Sequence, residues 1–160
     1  MTRFTLEGLR TFHAWTHSSL DALLDHLETM PEALLAEELD GFGFRSIRAQ
    51  VEHLLLCELN WLGRLQARDL RPKGVQPRTV EELRSLKREA AAATASYLDG
   101  LTDEALDTQV GMHWQDGTPF AGSPALVMHH ILTHAYHHKG QIVGMCRLLD
   151  HPAPDTDLFR

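Results

Sequence analysis

Apolar residues recur every three or four positions through four long stretches of this chain, and Gly- and Pro-rich breaks separate them. The first stretch runs from about Phe4 to Thr29, with Leu9, Phe12, Thr16, Leu20, Leu23, Leu24 and Leu27 on one face. Pro31 closes it, and residues 31–39 add a short helix before Gly41-Phe42-Gly43. The second runs from about Arg45 to Ala67. Its arc of Ile47, Val51, Leu54, Leu55, Leu62 and Leu65, widened by Leu56, Leu59 and Trp61, predicts a mostly buried helix. Residues 69–77 carry Pro72, Gly74 and Pro77 and read as a loop. Thr79 with Glu82 three residues later forms a capping box for a third helix reaching about Leu98. Thr102–Leu106 reads as one helical turn. From Asp107 to Gly122 helical periodicity stops, and Asp116-Gly117 marks a turn or short hairpin. Ser123-Pro124 is an N-cap with proline at the first helical position, opening a fourth helix to about Leu149. Four such helices without parallel-strand signals predict an all-α four-helix bundle, with one domain over residues 1–160.

Composition adds bounds. The 160 residues can bury about 70% of the unfolded surface, so the core needs no disulfide or structural metal. Twenty-two acidic against 15 basic side chains give a formal charge of −7, with the basic residues scattered. That is the wrong sign for a nucleic-acid backbone binder. No window approaches the ~20 apolar residues of a membrane span, and the start, Met1-Thr2-Arg3-Phe4, has no apolar stretch long enough for a signal peptide, so none is expected. Cys57 and Cys146 lack any CxxC neighbour, which suits a reduced, cytoplasmic protein.

The histidines change the picture. Eleven are present, and five fall within the ten residues from His129 to His138. On a helix His130, His134 and His138 form one ladder at i, i+4, i+8. Two imidazoles one turn apart converge on a single point, as metal ligation needs; a third must come from another helix, and His53 is the candidate. The pattern alone leaves two readings open, metal ligation or a hydrogen-bonding helix edge. It also leaves open whether His130 or His138 joins His134. Ile131, Ile142, Met145 and Leu148 interleave with the ladder, so part of that face is expected to be buried. His13 and His17 are also i/i+4, a spacing that chance alone produces.

Other residues take secondary roles. Cys57, four residues after His53, reads as core packing rather than a thiolate ligand or nucleophile. Asn60 lies one turn further along. His130 is a pocket residue, and Gln141 is placed to orient substrate or a ligand. His113 and Trp114 are expected to cover the site. Gly140 leaves a gap that would admit another helix or a ligand. Glu81, Glu82, Arg84, Lys87 and Arg88 read as solvated surface.

The stretch His130-Ile131-Leu132-Thr133-His134-Ala135-Tyr136-His137-His138-Lys139-Gly140-Gln141-Ile142 resembles a segment of the DinB-like family of four-helix-bundle proteins, usually ending His-Arg-Gly-Gln. His53-Leu54-Leu55-Leu56-Cys57-Glu58-Leu59-Asn60-Trp61-Leu62 resembles the family's His-containing helix, with its Glu and aromatic-Leu pair. The likeness spans most of the chain. Lys139 stands where arginine is usual and Ala135 where a polar residue is common. The resemblance implies one divalent metal, commonly zinc or nickel, held by His53, His134 and His138. Relatives include S-transferases and isomerases using bacillithiol, mycothiol or glutathione, and others labelled metal-dependent hydrolases.

Three functions follow as expectations. The first is a thiol-dependent S-transferase acting on a small-molecule electrophile, in which the metal favours the thiolate of a low-molecular-weight thiol cosubstrate. The second is a hydrolase using the same metal and water, with Glu52 or Glu58 as the nearest bases in sequence. The third is a non-enzymatic, stress-related binding module. A homodimer is the expected assembly, since apolar faces left uncovered would pair two copies. No nucleic-acid or membrane partner is expected.

Overall fold

The computed structural model describes residues 4–74 and 76–157. Four long helices pack together: α1 (Leu6–Glu28), α3 (Ile47–Leu65), α4 (Val80–Asp99) and α5 (Pro124–Leu148), with a one-turn α2 (Glu32–Leu35) after the first. Each long helix begins where a hydroxyl satisfies an otherwise orphaned amide. Thr5 accepts from Gly8, Ser46 from Ala49 and Ser123 from Leu126, and Thr79 with Glu82 closes the capping box. A 3₁₀ turn (Glu104–Asp107) precedes an antiparallel hairpin of β1 (Val110–His113) and β2 (Pro119–Gly122). Gly117 takes φ +85° in its turn, a left-handed conformation that glycine adopts without strain.

Two apolar clusters fill the bundle and fix the helix directions. One joins the C-terminal half of α1 and the N-terminal halves of α3 and α4 to the C-terminal part of α5, from Leu20, Leu23, Val51, Leu55 and Leu83 to Ile142 and Met145. The other joins the opposite ends, including Leu9, Leu65, Leu98, Met128 and Leu132. Helices α1 and α5 therefore run one way, α3 and α4 the other. The residues linking α3 to α4, 66–79, must return over the length of α3, about 28 Å, a span that 14 extended residues cover. The turn leaving α3 is tight: a Cβ on Gly63 would meet the Arg68 carbonyl oxygen at 2.5 Å, so only glycine fits. At the far end Arg48 Nη1 donates to the Arg78 carbonyl, 3.0 Å, fastening the strap beside the start of α3.

Several sequence expectations need correction. Lys87 is buried against Asp21 at 2.6 Å, and Arg84 is mostly buried between Asp25 and Glu28, so neither is free solvated surface. Their long aliphatic stems lie along the bundle while their charges find carboxylates on α1. Leu148, expected on the buried face, is exposed. Gly140 faces open space with nothing within 4 Å of its Cβ position, so it admits no close helix contact. Among the described residues no helix is long and apolar enough to cross a membrane.

Candidate metal centre

The ladder on α5 faces His53 on α3. The ring of His53 lies 5.1 Å from that of His134 and 4.7 Å from that of His138, centroid to centroid, and His134 and His138 are 4.4 Å apart. The Nε2 atoms of His134 and His138 approach to 3.1 Å. The ring of His130 is a turn further along, 5.6 Å from His134, and packs on Trp61 at 4.6 Å. Thus His53, His134 and His138 come together, and His130 belongs to the adjoining cleft.

His138 is held by a residue that the sequence reading did not single out. Gln50, one turn before His53, is fully buried, and its Oε1 lies 2.5 Å from His138 Nδ1. An amide oxygen only accepts, so Nδ1 carries the proton and Nε2 of the neutral ring keeps its lone pair. The amide nitrogen of Gln50 donates to the Phe44 carbonyl (2.8 Å) and to Gln141 Oε1 (2.7 Å), which satisfies the whole group. Gln141 in turn donates to His137 Nε2, 2.8 Å. Gln141 therefore braces Gln50, the residue that orients His138. Phe44 stacks on His53 with centroids 3.8 Å apart and its ring edge towards His138, which walls one side of the site.

Burial sets the electrostatics. Desolvation first, and then the neighbouring imidazoles, push His134 and His138 down to about 4; desolvation also lowers His53 and His130. At neutral pH the rings are uncharged and present lone pairs, the protonation state a metal ligand needs. Imidazole donors suit zinc, nickel, copper or iron alike. The donor atoms that all lie within 4.8 Å of one another are those of His53, His134 and Cys57, and His138 adjoins this set through the Nε2 of His134. In the absence of a metal, burial raises the Cys57 thiol to about 11, so it is no thiolate nucleophile at neutral pH. Asn60 lies outside the cluster, on the wall of a neighbouring cleft with Arg64. Trp114 stacks on Phe120 and meets Trp61 edge-on, which places it over the cleft beside His130; the His113 side chain is exposed.

A second polar cluster lies between the two apolar halves of the core. Glu58 on α3 accepts from His13 Nε2 (3.0 Å), His17 Nε2 (3.1 Å) and the Thr94 hydroxyl (2.7 Å), all of them buried. These donors outweigh its desolvation and hold the carboxyl well below the usual range. The i/i+4 pair His13 and His17 is therefore specific, not accidental. Glu58 points away from His53 and into this cluster, so it is unavailable as a base at the other site. Glu52 has its carboxyl pushed up by burial.

The whole chain, residues 1–160, matches a family model described as the DinB family. The uncharacterized protein YizA of Bacillus subtilis (strain 168) is 25% identical over 119 residues, covering 74% of this chain and 72% of YizA. The crystal structure of a DinB-like protein from Bacillus cereus ATCC 10987 superposes with a TM-score of 0.71 at 19% identity, covering 97% of this chain and 99% of that one. A DinB family member from Shewanella denitrificans gives a TM-score of 0.57 at 17% identity, covering 98% and 89%. At these identities the structural likeness speaks for the fold.

Proposed function

The chain belongs to the DinB family, and on that premise we propose that it is a metal-dependent enzyme transferring a low-molecular-weight thiol to a small electrophilic substrate. The observation that carries this reading is the convergence of His53, His134 and His138 from two helices, with Gln50 fixing the tautomer of His138. In this reading those three residues hold one divalent ion, zinc or nickel. Bound there, the ion supplies Lewis acidity and favours the thiolate form of the cosubstrate.

The residues of the chain do the rest. The Gln50–Gln141 pair holds the His138 imidazole in place, so its lone pair is set before any ligand arrives. Phe44 stacks on His53 and walls one flank. In the absence of a metal, burial raises the Cys57 thiol to about 11, which makes it a poor nucleophile. An external thiol answers that need. The hydrolase alternative is less well served: of its two nearest bases, Glu58 is engaged by His13, His17 and Thr94.

The test combines elemental analysis of tag-free protein with turnover of 1-chloro-2,4-dinitrobenzene in the presence of bacillithiol, mycothiol, glutathione or cysteine. Metal at one per chain, thiol-dependent turnover, and loss of both in His134→Ala are the expected results. No metal after loading with zinc or nickel would overturn the reading. Turnover indifferent to thiol would turn it towards hydrolysis.

A further inference from the structure

The row of side chains where α3 faces α5 does not end at the histidines. Along α3, Cys57, Trp61 and Arg64 follow His53 at i+4, i+8 and i+11, and His130 continues the ladder on α5. Beyond His130 the hairpin closes a cleft of about 280 Å³ with an almost wholly apolar wall, built chiefly by Trp61, Trp114, Phe120 and Leu126. Trp114 and Phe120 are stacked at 4.3 Å, and Trp61 stands edge-on to both, at 5.8 and 6.1 Å. Trp114 is 47% exposed and Leu126 63%, so large apolar groups stay in water at the mouth of this cleft. A flat aromatic ring is the shape and chemistry that such walls favour.

Arg64 supplies the second half of the recognition. Its guanidinium lies 5.6 Å from the Trp61 ring and 5.8 Å from the Trp114 ring, and Nη1 donates to the His113 carbonyl. Its Nε is buried with no hydrogen-bond partner. With Nη1 engaged, the Nε–Nη2 edge remains, the edge that grips a carboxylate with two parallel bonds. Arg64 is half-buried and its shielded Nε lacks an acceptor, so this edge is suited to one. Arg64 and Arg68 line a second cleft, of about 350 Å³, which meets the aromatic one at Met112 and also carries Asp69; neither arginine has a carboxylate partner among the described residues.

We propose that these two adjoining clefts together select the electrophile, and that they take a molecule combining an aromatic ring with a carboxylate: the ring among Trp61, Trp114 and Phe120, the carboxylate on Arg64, whose guanidinium stands 5.6 and 5.8 Å from the two tryptophan rings. The assignment deepens the transferase reading and rests on it for the word electrophile; the binding itself is tested without turnover. Metal-stripped protein is titrated calorimetrically with 2-naphthoate, with neutral 2-naphthamide and with cyclohexanecarboxylate. Saturable binding of 2-naphthoate, at least tenfold tighter than either control, is expected. Arg64→Met should weaken 2-naphthoate tenfold or more and leave 2-naphthamide unchanged. Arg64→Lys, which keeps the charge but lacks the forked edge, should fall between, with its fold checked by circular dichroism. Trp114→Ala should weaken both aromatic probes, and His134→Ala neither. Equal affinity for the acid and the amide, wild-type affinity in Arg64→Met, loss of 2-naphthoate binding in His134→Ala, or no saturable binding would each overturn the proposal. Binding as expected without any thiol-dependent turnover would leave the cleft standing and remove the transferase reading.

Discussion

Gln50 Oε1 receives the Nδ1 proton of His138 at 2.5 Å, and this one contact decides which nitrogen of that ring faces His53 and His134. Gln50→Leu keeps the volume and removes the acceptor. Metal affinity should then fall about 10–100-fold, the range for lost support behind a ligating histidine. Competition against a chelator of known affinity measures this, and unchanged affinity would show that the tautomer is fixed by something else.

Acid should destabilise the metal-free protein in a defined window. His134 and His138 titrate near 4 when folded, against about 6.5 in the unfolded chain. Between those values the unfolded chain binds more protons, so stability falls as the pH drops from about 6.5 to about 4. Urea midpoints across this range should decline in wild type and decline less in His134→Ala. A flat profile would contradict the burial of these rings.

Glu58 acts lower on the pH scale and deeper in the bundle. Its carboxyl is depressed when folded, so its contribution is complete above about 4.5 and lost as the pH falls below that. Glu58→Ala leaves His13, His17 and Thr94 without their common acceptor and opens a cavity. Removing one partner from a buried charged cluster costs about 3–5 kcal/mol. Chemical denaturation should show a loss of that order, with metal content unchanged, since Glu58 serves a different cluster.

Lys139 ties the segment around Thr156 to the bundle. Its ammonium bonds Ser19 Oγ and the Thr156 carbonyl (3.0 Å) and lies 3.9 Å from the Tyr136 ring. Lys139→Ala should cost about 1.5–3 kcal/mol, the worth of hydrogen bonds to a charged group. It should also release residues 150–157 to limited proteolysis, with cleavage there appearing well before any in the helices.

The helices were legible because their apolar stripes are long and their caps are the preferred residue types; Ser46, Thr79 and Ser123 each sit where the first amide needs an acceptor. Helix direction was not legible, since periodicity is the same read up or down. The convergence of His53 on the ladder followed from spacing plus the family likeness. Gln50 was missed because a lone polar residue on an apolar arc looks like noise, although its place one turn before His53 was the signal. His13 and His17 were set aside as chance because their partner, Glu58, lies more than 40 residues away, and no local pattern links them. Lys87 was misread because formal charge says nothing about where a four-carbon stem lies.

The strap of residues 66–79 has a kinetic consequence. Helices α3 and α4 run the same way, so they cannot zip together from a tight turn as an antiparallel pair does. Their docking waits on closing a larger loop and on α1 and α5 arriving from opposite ends of the sequence. Refolding should therefore be slower than in an up-and-down bundle of this size, and the pairing of α3 with α5, which builds the histidine cluster, should be among the last events.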